Sequence, residues 1–512
     1  MRSAAHSCFA VQEILLQIVE ACAQESETKI NPFLYRIYPT LASLARTCTI
    51  TRDPALDRLW RTQYGLQNLI KCLPAVYWRQ RVEDMQLTVA SDVDLDDWSR
   101  FDIYASRIQE LNIDQFGPCD QFELFTPLMR RGYSKTLFPN LKTLKWWSTP
   151  RRPLPHVQLV LSPTIRTLIA SFSGSPSSAS GLTYLPQYCP HIESLRLYLS
   201  DEISIVKAEK VLRSLQEIRS LDFTIHDDIT ESSPACLNGL LNRVSVLPQL
   251  ETFCVASLPQ RVSLIAMPEA NTRRFPALKQ LTVDSRASCS NFLRTFELEN
   301  LEHLDITFSP FIVPPDNNTQ LMQTVEQVIS HSSLKVLHLT YRYSVQVTLE
   351  SISPAFAFRS LEEFCLYSGP VGVALDDTAI EQLAKAWPDL TELRLLGSIP
   401  LTSQSTATPV LPTLQALTYL AQYCPKLETL SIELDAKDPA PIQKRIREGR
   451  KFCNTHMKQL SVRRSLIGDT AKVAAFLSEL FPNLVDMSGA RDGWTEVASS
   501  LKAIQTVRSW SL

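Results

Sequence analysis

Four aspartates, Asp92, Asp94, Asp96 and Asp97, alternate in the way a calcium loop presents its oxygen ligands. Such a loop also needs glycine at its sixth place and a distal glutamate. Neither is present, so the cluster reads as a solvated linker. The eight histidines form no cluster along the chain, and His331 and His338 lie seven apart with Leu334 and Leu337 between them. His338 then falls within a strand, and no zinc site is expected. The twelve cysteines contain no C-x-x-C spacing and often stand inside apolar runs such as Phe253-Cys254-Val255 and Phe364-Cys365-Leu366. They read as reduced, small core residues. The basic run Lys444, Arg445, Arg447, Arg450 and Lys451 is interrupted by Glu448, which suits a solvated helix face. The nucleophile elbow G-x-S-x-G, the P-loop and the dinucleotide fingerprint are all missing. Catalytic residues therefore do not converge. The expectation is a binding protein without cofactor or metal.

The composition supports a folded chain. Of 512 residues, 45% are hydrophobic and 20% charged, a balance that excludes disorder over most of the length. A net charge of -2 argues against a globally basic nucleic-acid binder. Apolar runs never reach the roughly 18 residues of a membrane span. The apolar N-terminal stretch is broken by His6, Ser7, Gln12 and Glu13, unlike a secretory signal. The expected compartment is the cytoplasm or nucleus, with no nucleic-acid or membrane partner.

The elements that would position a binding surface are repeated. An apolar residue, two others, a second apolar residue, one other and a third apolar residue recur along the chain, often after a proline. Clear copies are Pro139-Asn140-Leu141 with Leu144 and Trp146, Pro190-His191-Ile192 with Leu195 and Leu197, and Pro248-Gln249-Leu250 with Phe253 and Val255. Others are Pro276-Ala277-Leu278 with Leu281 and Val283, Pro388-Asp389-Leu390 with Leu393 and Leu395, and Pro425-Lys426-Leu427 with Leu430 and Ile432. Copies without the proline begin at Leu301, Leu334 and Leu361, and weaker ones at Ile108, Ile165, Ile218, Met457 and Leu484. The fourteen copies are spaced 23 to 37 residues apart. The last two apolar positions alternate as a strand does. Leu414–Tyr423, Ala379–Ala386 and Val473–Leu480 repeat their apolar residues at three and four and read as helices. The proline that follows each expels its predecessor from the helical state. Each unit reads helix, proline stop, strand.

This pattern resembles the leucine-rich-repeat family over about three quarters of the chain. The resemblance implies an α/β solenoid over residues 106–512, with parallel strands on a concave face and helices on a convex one. Burial of each Leu or Ile stabilises by roughly 1.5–3 kcal/mol, enough in sum to hold such a stack without disulfides. The family usually carries Asn or Cys three residues after the third apolar position. Here that place holds Thr149, Ser200, Ser398 and Asp435, which predicts irregular repeats.

Residues 1–80 follow a different rule, with 81–105 as a connecting segment. Val11, Ile14, Leu15 and Ile18 share one face of a helix expected over Cys8–Cys22, followed by a polar segment from Ala23 to Asn31. A second helix runs through Leu41, Leu44, Ala45 and Cys48. A third is expected to start at Asp53-Pro54 and to carry Leu56, Leu59 and Trp60. Three short helices make a small core that normally leans on a neighbour. Glu13-Ile14-Leu15 with Ile18, Leu44-Ala45 with Cys48, and Leu59-Trp60 resemble the F-box motif. The segment Leu69–Pro74 looks like the tail of that region in fungal F-box proteins with C-terminal leucine-rich repeats. The motif's usual Leu-Pro opening is replaced by Phe9-Ala10-Val11. The resemblance implies a substrate-recognition subunit of a cullin–RING (SCF-type) ubiquitin ligase. In that family the F-box binds an adaptor, and through it a cullin, while the repeats bind a protein target. Val11, Ile14, Leu15, Ile18, Leu44 and Trp60 would lie at or under the adaptor face. The alternative is a protein-interaction scaffold whose three helices only seal the open end of the repeats.

Between the apolar strand positions lie Thr143/Lys145, Ser194/Arg196, Ser220/Asp222, His303/Asp305, Val336/His338, Glu392/Arg394, Thr429/Ser431 and Gln459/Ser461. They would face the concave side. The mixed signs suit a protein target, for which Lys145, Arg196, Asp222, Asp305, His338 and Arg394 are the candidate contacts.

Overall fold

The computed structural model describes residues 11–27, 39–80, 87–89, 98–113, 136–147, 157–172, 181–225, 234–258, 273–285, 289–309, 318–343, 345–369, 373–397, 410–438, 440–441, 452–489 and 492–509. The acidic cluster at 92–97, the basic run at 444–451, Thr149 and Ser398 lie outside these residues. The chain divides into two units, Met1–Ile229 with Gly239–Val244, and Thr230–Asn238 with Ser245–Leu512.

The first unit opens with α1 (Gln12–Glu27), α2 (Pro39–Leu44) and α3 (Thr49–Trp60). α1 continues to Glu27, through much of the segment read as polar linker. α3 starts four residues before the expected Asp-Pro, so Pro54 lies inside the helix. The N-cap is Cys48, extended and without a side-chain cap bond, and the Thr51 hydroxyl in the first turn lies 2.9 Å from the Leu44 carbonyl and 3.2 Å from that of Cys48. Asp53, freed from a capping role, pairs with Arg107 at 2.8 Å. Directly after α3 comes β1 (Thr62–Tyr64), then β2 (Glu110–Ile113), β3 (Thr143–Trp147), β4 (Thr167–Phe172), β5 (Ser194–Leu199) and β6 (Ser220–Ile225). Each pairs in parallel with the next. The strand layer therefore begins within the stretch assigned to the helical module, well before Ser106. Trp78–Gln80 and Leu87–Val89 form a small antiparallel pair.

The second unit contributes β7 (Thr252–Leu258), β8 (Gln280–Ser285), β9 (His303–Phe308), β10 (Val336–Tyr341), β11 (Glu363–Tyr367), β12 (Glu392–Leu396), β13 (Thr429–Ser431), β14 (Gln459–Arg463) and β15 (Asp486–Gly489). These too are parallel in sequence order. All fourteen copies of the sequence pattern carry a strand, and β1 adds one the pattern did not reveal. The fold is an α/β leucine-rich-repeat solenoid. Its repeat apolar positions are buried almost throughout, with Leu144, Leu195, Phe253, Leu304, Leu337, Leu393 and Leu460 each at most 1% exposed. Alternate residues of each strand lie on the other face and are half-buried or exposed.

The proline stop works as the sequence predicts. α4 (Asp377–Ala386), α5 (Leu414–Tyr423) and α6 (Thr470–Leu480) end at Trp387, Cys424 and Phe481. Those three residues share φ near -120° and ψ near +70°, because the following proline ring excludes the helical ψ. Each still donates its N–H to the carbonyl four residues back. The chain then turns sharply into the next strand.

Adjacent repeats are also tied by side chains that the pattern did not single out. In five repeats the residue immediately before the first apolar position bonds a backbone carbonyl of the preceding repeat. Asn140 donates to the Ser106 carbonyl (2.8 Å), Thr164 to Pro139 (3.0 Å), Asn300 to Pro276 (2.9 Å) and Asn483 to Thr455 (2.9 Å). His456 Nδ1 stands 3.0 Å from the Pro425 carbonyl in the same way. The inter-repeat bonding that the family places after the strand is here placed before it, where proline leaves carbonyls without helical partners.

Candidate functional site

Two surfaces were expected to do the binding: the helical module and the strand face. In the module, Leu15, Val19, Ala23 and Leu41 form the core, with Cys22, Leu44 and Leu59 packed against it. The core stripe of α1 is thus Leu15, Val19 and Ala23 at spacings of four, rotated from the stripe expected through Val11, Ile14 and Leu15. Leu15 is only 3% exposed and lies beneath the surface. Val11 and Ile14 are 43% and 39% exposed, and Leu16, on the opposite flank of the core stripe, 50%. Ile18 and Leu44 are half-buried. Trp60 is half-buried and stacks on Tyr104, with ring centroids 4.6 Å apart. Arg58 ties α3 to α1 through Glu20 at 2.9 Å. Sequence reasoning missed exposed Leu16, which stands two positions from Ile14, on the other side of the helix, and so fits no stripe through Val11, Ile14 and Ile18.

On the strand face the register decides the neighbours. In the first unit Lys145 aligns with Ile169, Ile169 with Arg196, and Arg196 with Asp222. In the second unit Thr282 aligns with Asp305, Asp305 with His338, His338 with Cys365, and Cys365 with Arg394. The six candidate contacts thus fall at one equivalent repeat position, three in each unit. Arg196 meets Asp222 at 2.5 Å, and Arg394 meets Glu392 at 2.6 Å. Desolvation pulls the Arg196 pKa down, but Asp222 and Tyr198 more than offset it and the net shift is upward. Two residues further along β3 and β5, Trp147 and Tyr198 bring their rings within 4.7 Å. This aromatic pair beside Lys145 and Arg196 was not anticipated, since the repeat pattern stops before it. An open cleft of about 280 Å³ in the second unit is lined by Arg394, Ser431, Ser461 and Arg463, among others.

The expectation that the histidines stay apart is overturned. His303 and His338 occupy neighbouring strands, and their rings meet edge to face at 5.3 Å. Sequence separation hid this, because the two lie one repeat apart and only strand pairing brings them together. Burial, then the neighbouring His338, hold the His303 pKa below its ordinary value. Burial pushes the Asp305 carboxyl upward. The cysteines also divide by strand parity. Cys189, Cys289 and Cys424 are buried. Cys254 and Cys365 are only half-buried, because alternation turns them to the open face, while Cys48 and Cys453 are exposed. Burial pushes the Cys189 and Cys424 thiols up to about 12. The exposed Cys48 thiol is lowered, mainly by the Thr51 hydroxyl.

Among the described residues, no helix is long and apolar enough to cross a membrane. No family model matches the chain, and no curated protein matches it by sequence. Among solved structures the chain is similar to the complex of Rad7 and Elc1 from yeast, with 15% identity, a TM-score of 0.37, and coverage of 66% of this chain and 80% of that one. It is also similar to the mouse RP105/MD-1 complex, with 13% identity, a TM-score of 0.31, and coverage of 75% and 63%.

Proposed function

We propose that this chain is a non-catalytic substrate receptor of a cullin–RING ubiquitin ligase. Its helical module binds the ligase adaptor, and its repeat strands hold a protein target. The observation that carries the adaptor half is the outward stripe of α1. Val11 and Ile14 stay exposed, with half-buried Ile18 between them on the same side of the helix, although the module already has its own core in Leu15, Val19, Ala23 and Leu41. A helix needed only to cover the repeats has no use for a second apolar stripe facing water. Leu44 packs on the core beneath it. The target half rests on the mixed-charge row through Lys145, Arg196 and Asp222, on the aromatic pair above it, and on the row through Asp305, His338 and Arg394.

A capping role is supported for the end of the module. β1 follows α3 without a linker and pairs with β2, and Trp60 stacks on Tyr104 of the following helix. The two roles divide the module, with α3 and β1 closing the repeat edge and α1 facing outward.

Co-expression with the ligase adaptor tests the adaptor half. The wild-type chain is expected to co-purify with adaptor, and Ile14→Asp to lose it while keeping its far-ultraviolet circular dichroism. A wild-type chain that captures no adaptor defeats the reading.

A further inference from the structure

We infer that His303, Asp305 and His338 form a binding site for a divalent transition-metal ion of the zinc class, on the open face of β9 and β10. Their ligand atoms all lie within 4.8 Å of one another. Any three points that close have a common centre no more than about 2.8 Å from each, against the 2.0–2.2 Å of Zn–N and Zn–O bonds. Each side chain therefore needs to move by only about 0.7 Å, within reach of half-buried side chains that are not locked in a core.

The strand framework sets this convergence. His303 and Asp305 are two residues apart on β9 and so point to one face. Asp305 is register-paired with His338 on β10, which points the same way. Two imidazoles and a carboxylate thus meet from a parallel ladder whose spacing is held by main-chain bonds. The site lacks the partners that would explain it otherwise. His338 Nε2 has no hydrogen-bond partner among the described residues, and the nearest carboxylate oxygen, from Glu363, stands 3.8 Å away. Asp305 forms no ion pair among the described residues. A half-buried carboxylate facing two imidazoles can share one cation with them at small rearrangement.

The donor set points to the class of ion. Imidazole nitrogen suits zinc, copper, nickel and iron, whereas calcium and magnesium require oxygen ligands throughout. Three protein ligands leave at least one coordination position open toward solvent, as in zinc sites that keep an exchangeable ligand. The inference is independent of the adaptor reading.

The test uses the full chain, stripped with chelator and titrated with Co²⁺ as a spectroscopic stand-in, then with Zn²⁺. One equivalent of Co²⁺ is expected to give a visible d–d absorption that Zn²⁺ displaces, and Zn²⁺ to raise the melting temperature. The double variant His303→Gln/His338→Gln should lose both responses while keeping its circular dichroism. Because other histidines can bind metal adventitiously, His191→Gln/His331→Gln serves as control and should keep both. Absence of a stoichiometric Co²⁺ signal in the wild type overturns the inference. So does retention of that signal by the 303/338 double variant. If that variant misfolds, Asp305→Asn is read in its place, with a weakened Co²⁺ signal expected and an unchanged one overturning the site.

Discussion

Asn454 offers the sharpest test of how the repeats are joined. It is 1% exposed and uses its whole amide. Its Nδ2 donates to the carbonyls of Cys424 (3.1 Å) and Leu427 (3.0 Å) in the preceding repeat. Its Oδ1 accepts from the N–H groups of His456 (2.7 Å) and Met457 (3.1 Å) in its own. In Asn454→Ala, the Cys424 carbonyl keeps the Leu427 N–H as a donor, and the exposed His456 N–H can turn to water. The Leu427 carbonyl and the Met457 N–H are left buried and unsatisfied. At about 1–3 kcal/mol for each, the loss is about 2–6 kcal/mol. For a unit of this size that corresponds to a fall in melting temperature of about 5–15 °C. Asn454→Asp is expected to be worse at pH 7, since it keeps both acceptors but sets carboxylate oxygen against two carbonyls. Burial with one oxygen against two carbonyls raises that aspartate's folded pKa, so its extra penalty is present at neutral pH and fades as pH falls toward about 4. Thermal denaturation of the full chain measures the shift. Hydrogen exchange of β13 and β14 shows whether the loss is local, as expected for stacked repeats. A melting temperature unchanged within about 1 °C in Asn454→Ala, or an aspartate milder than alanine at pH 7, would refute the reasoning.

Two further outcomes follow from burial. Trp387 is fully buried, packs on Phe364 at 4.7 Å and donates from Nε1 to the Ala355 carbonyl at 3.2 Å. Trp387→Ala should cost about 3–5 kcal/mol in urea denaturation, while Trp387→Phe should recover part of that. Alkylation at pH 8 followed by peptide mass spectrometry should label exposed Cys48 first, with its lowered thiol pKa, and leave Cys189 and Cys424 unlabelled until unfolding. Labelling of Cys424 at the Cys48 rate would contradict its burial.

The repeats were legible because one physical demand recurs in them. Each unit must bury two alternating strand residues, and many must also end a helix at a proline. Leu393 with Leu395 and Trp387 before Pro388 state this in the sequence without help from distant residues. The helical module was harder to read. Val11, Ile14 and Leu15 fit one helical face by spacing, yet only contact with Leu41 and Leu59 selects Leu15, Val19 and Ala23 as the inner one. Asp53-Pro54 has the form of a helix start, but the helix already begins at Thr49, where the Thr51 hydroxyl ties its first turn back to the Leu44 carbonyl. Local preference gave way to tertiary contact at both places.

By itself, then, the sequence determined the period, the strands, the helix stops and the parity of each strand residue, since these depend on neighbours within a few positions. Tertiary structure decided which repeats stand side by side and in what register. That register set Arg196 against Asp222, carried the inter-repeat bonds to the residue before each strand, and brought His303 and Asp305 to His338 across a ladder no spacing rule could span. Pairing partners in a parallel sheet lie a whole repeat apart, so their chemistry exists only once the chain has folded.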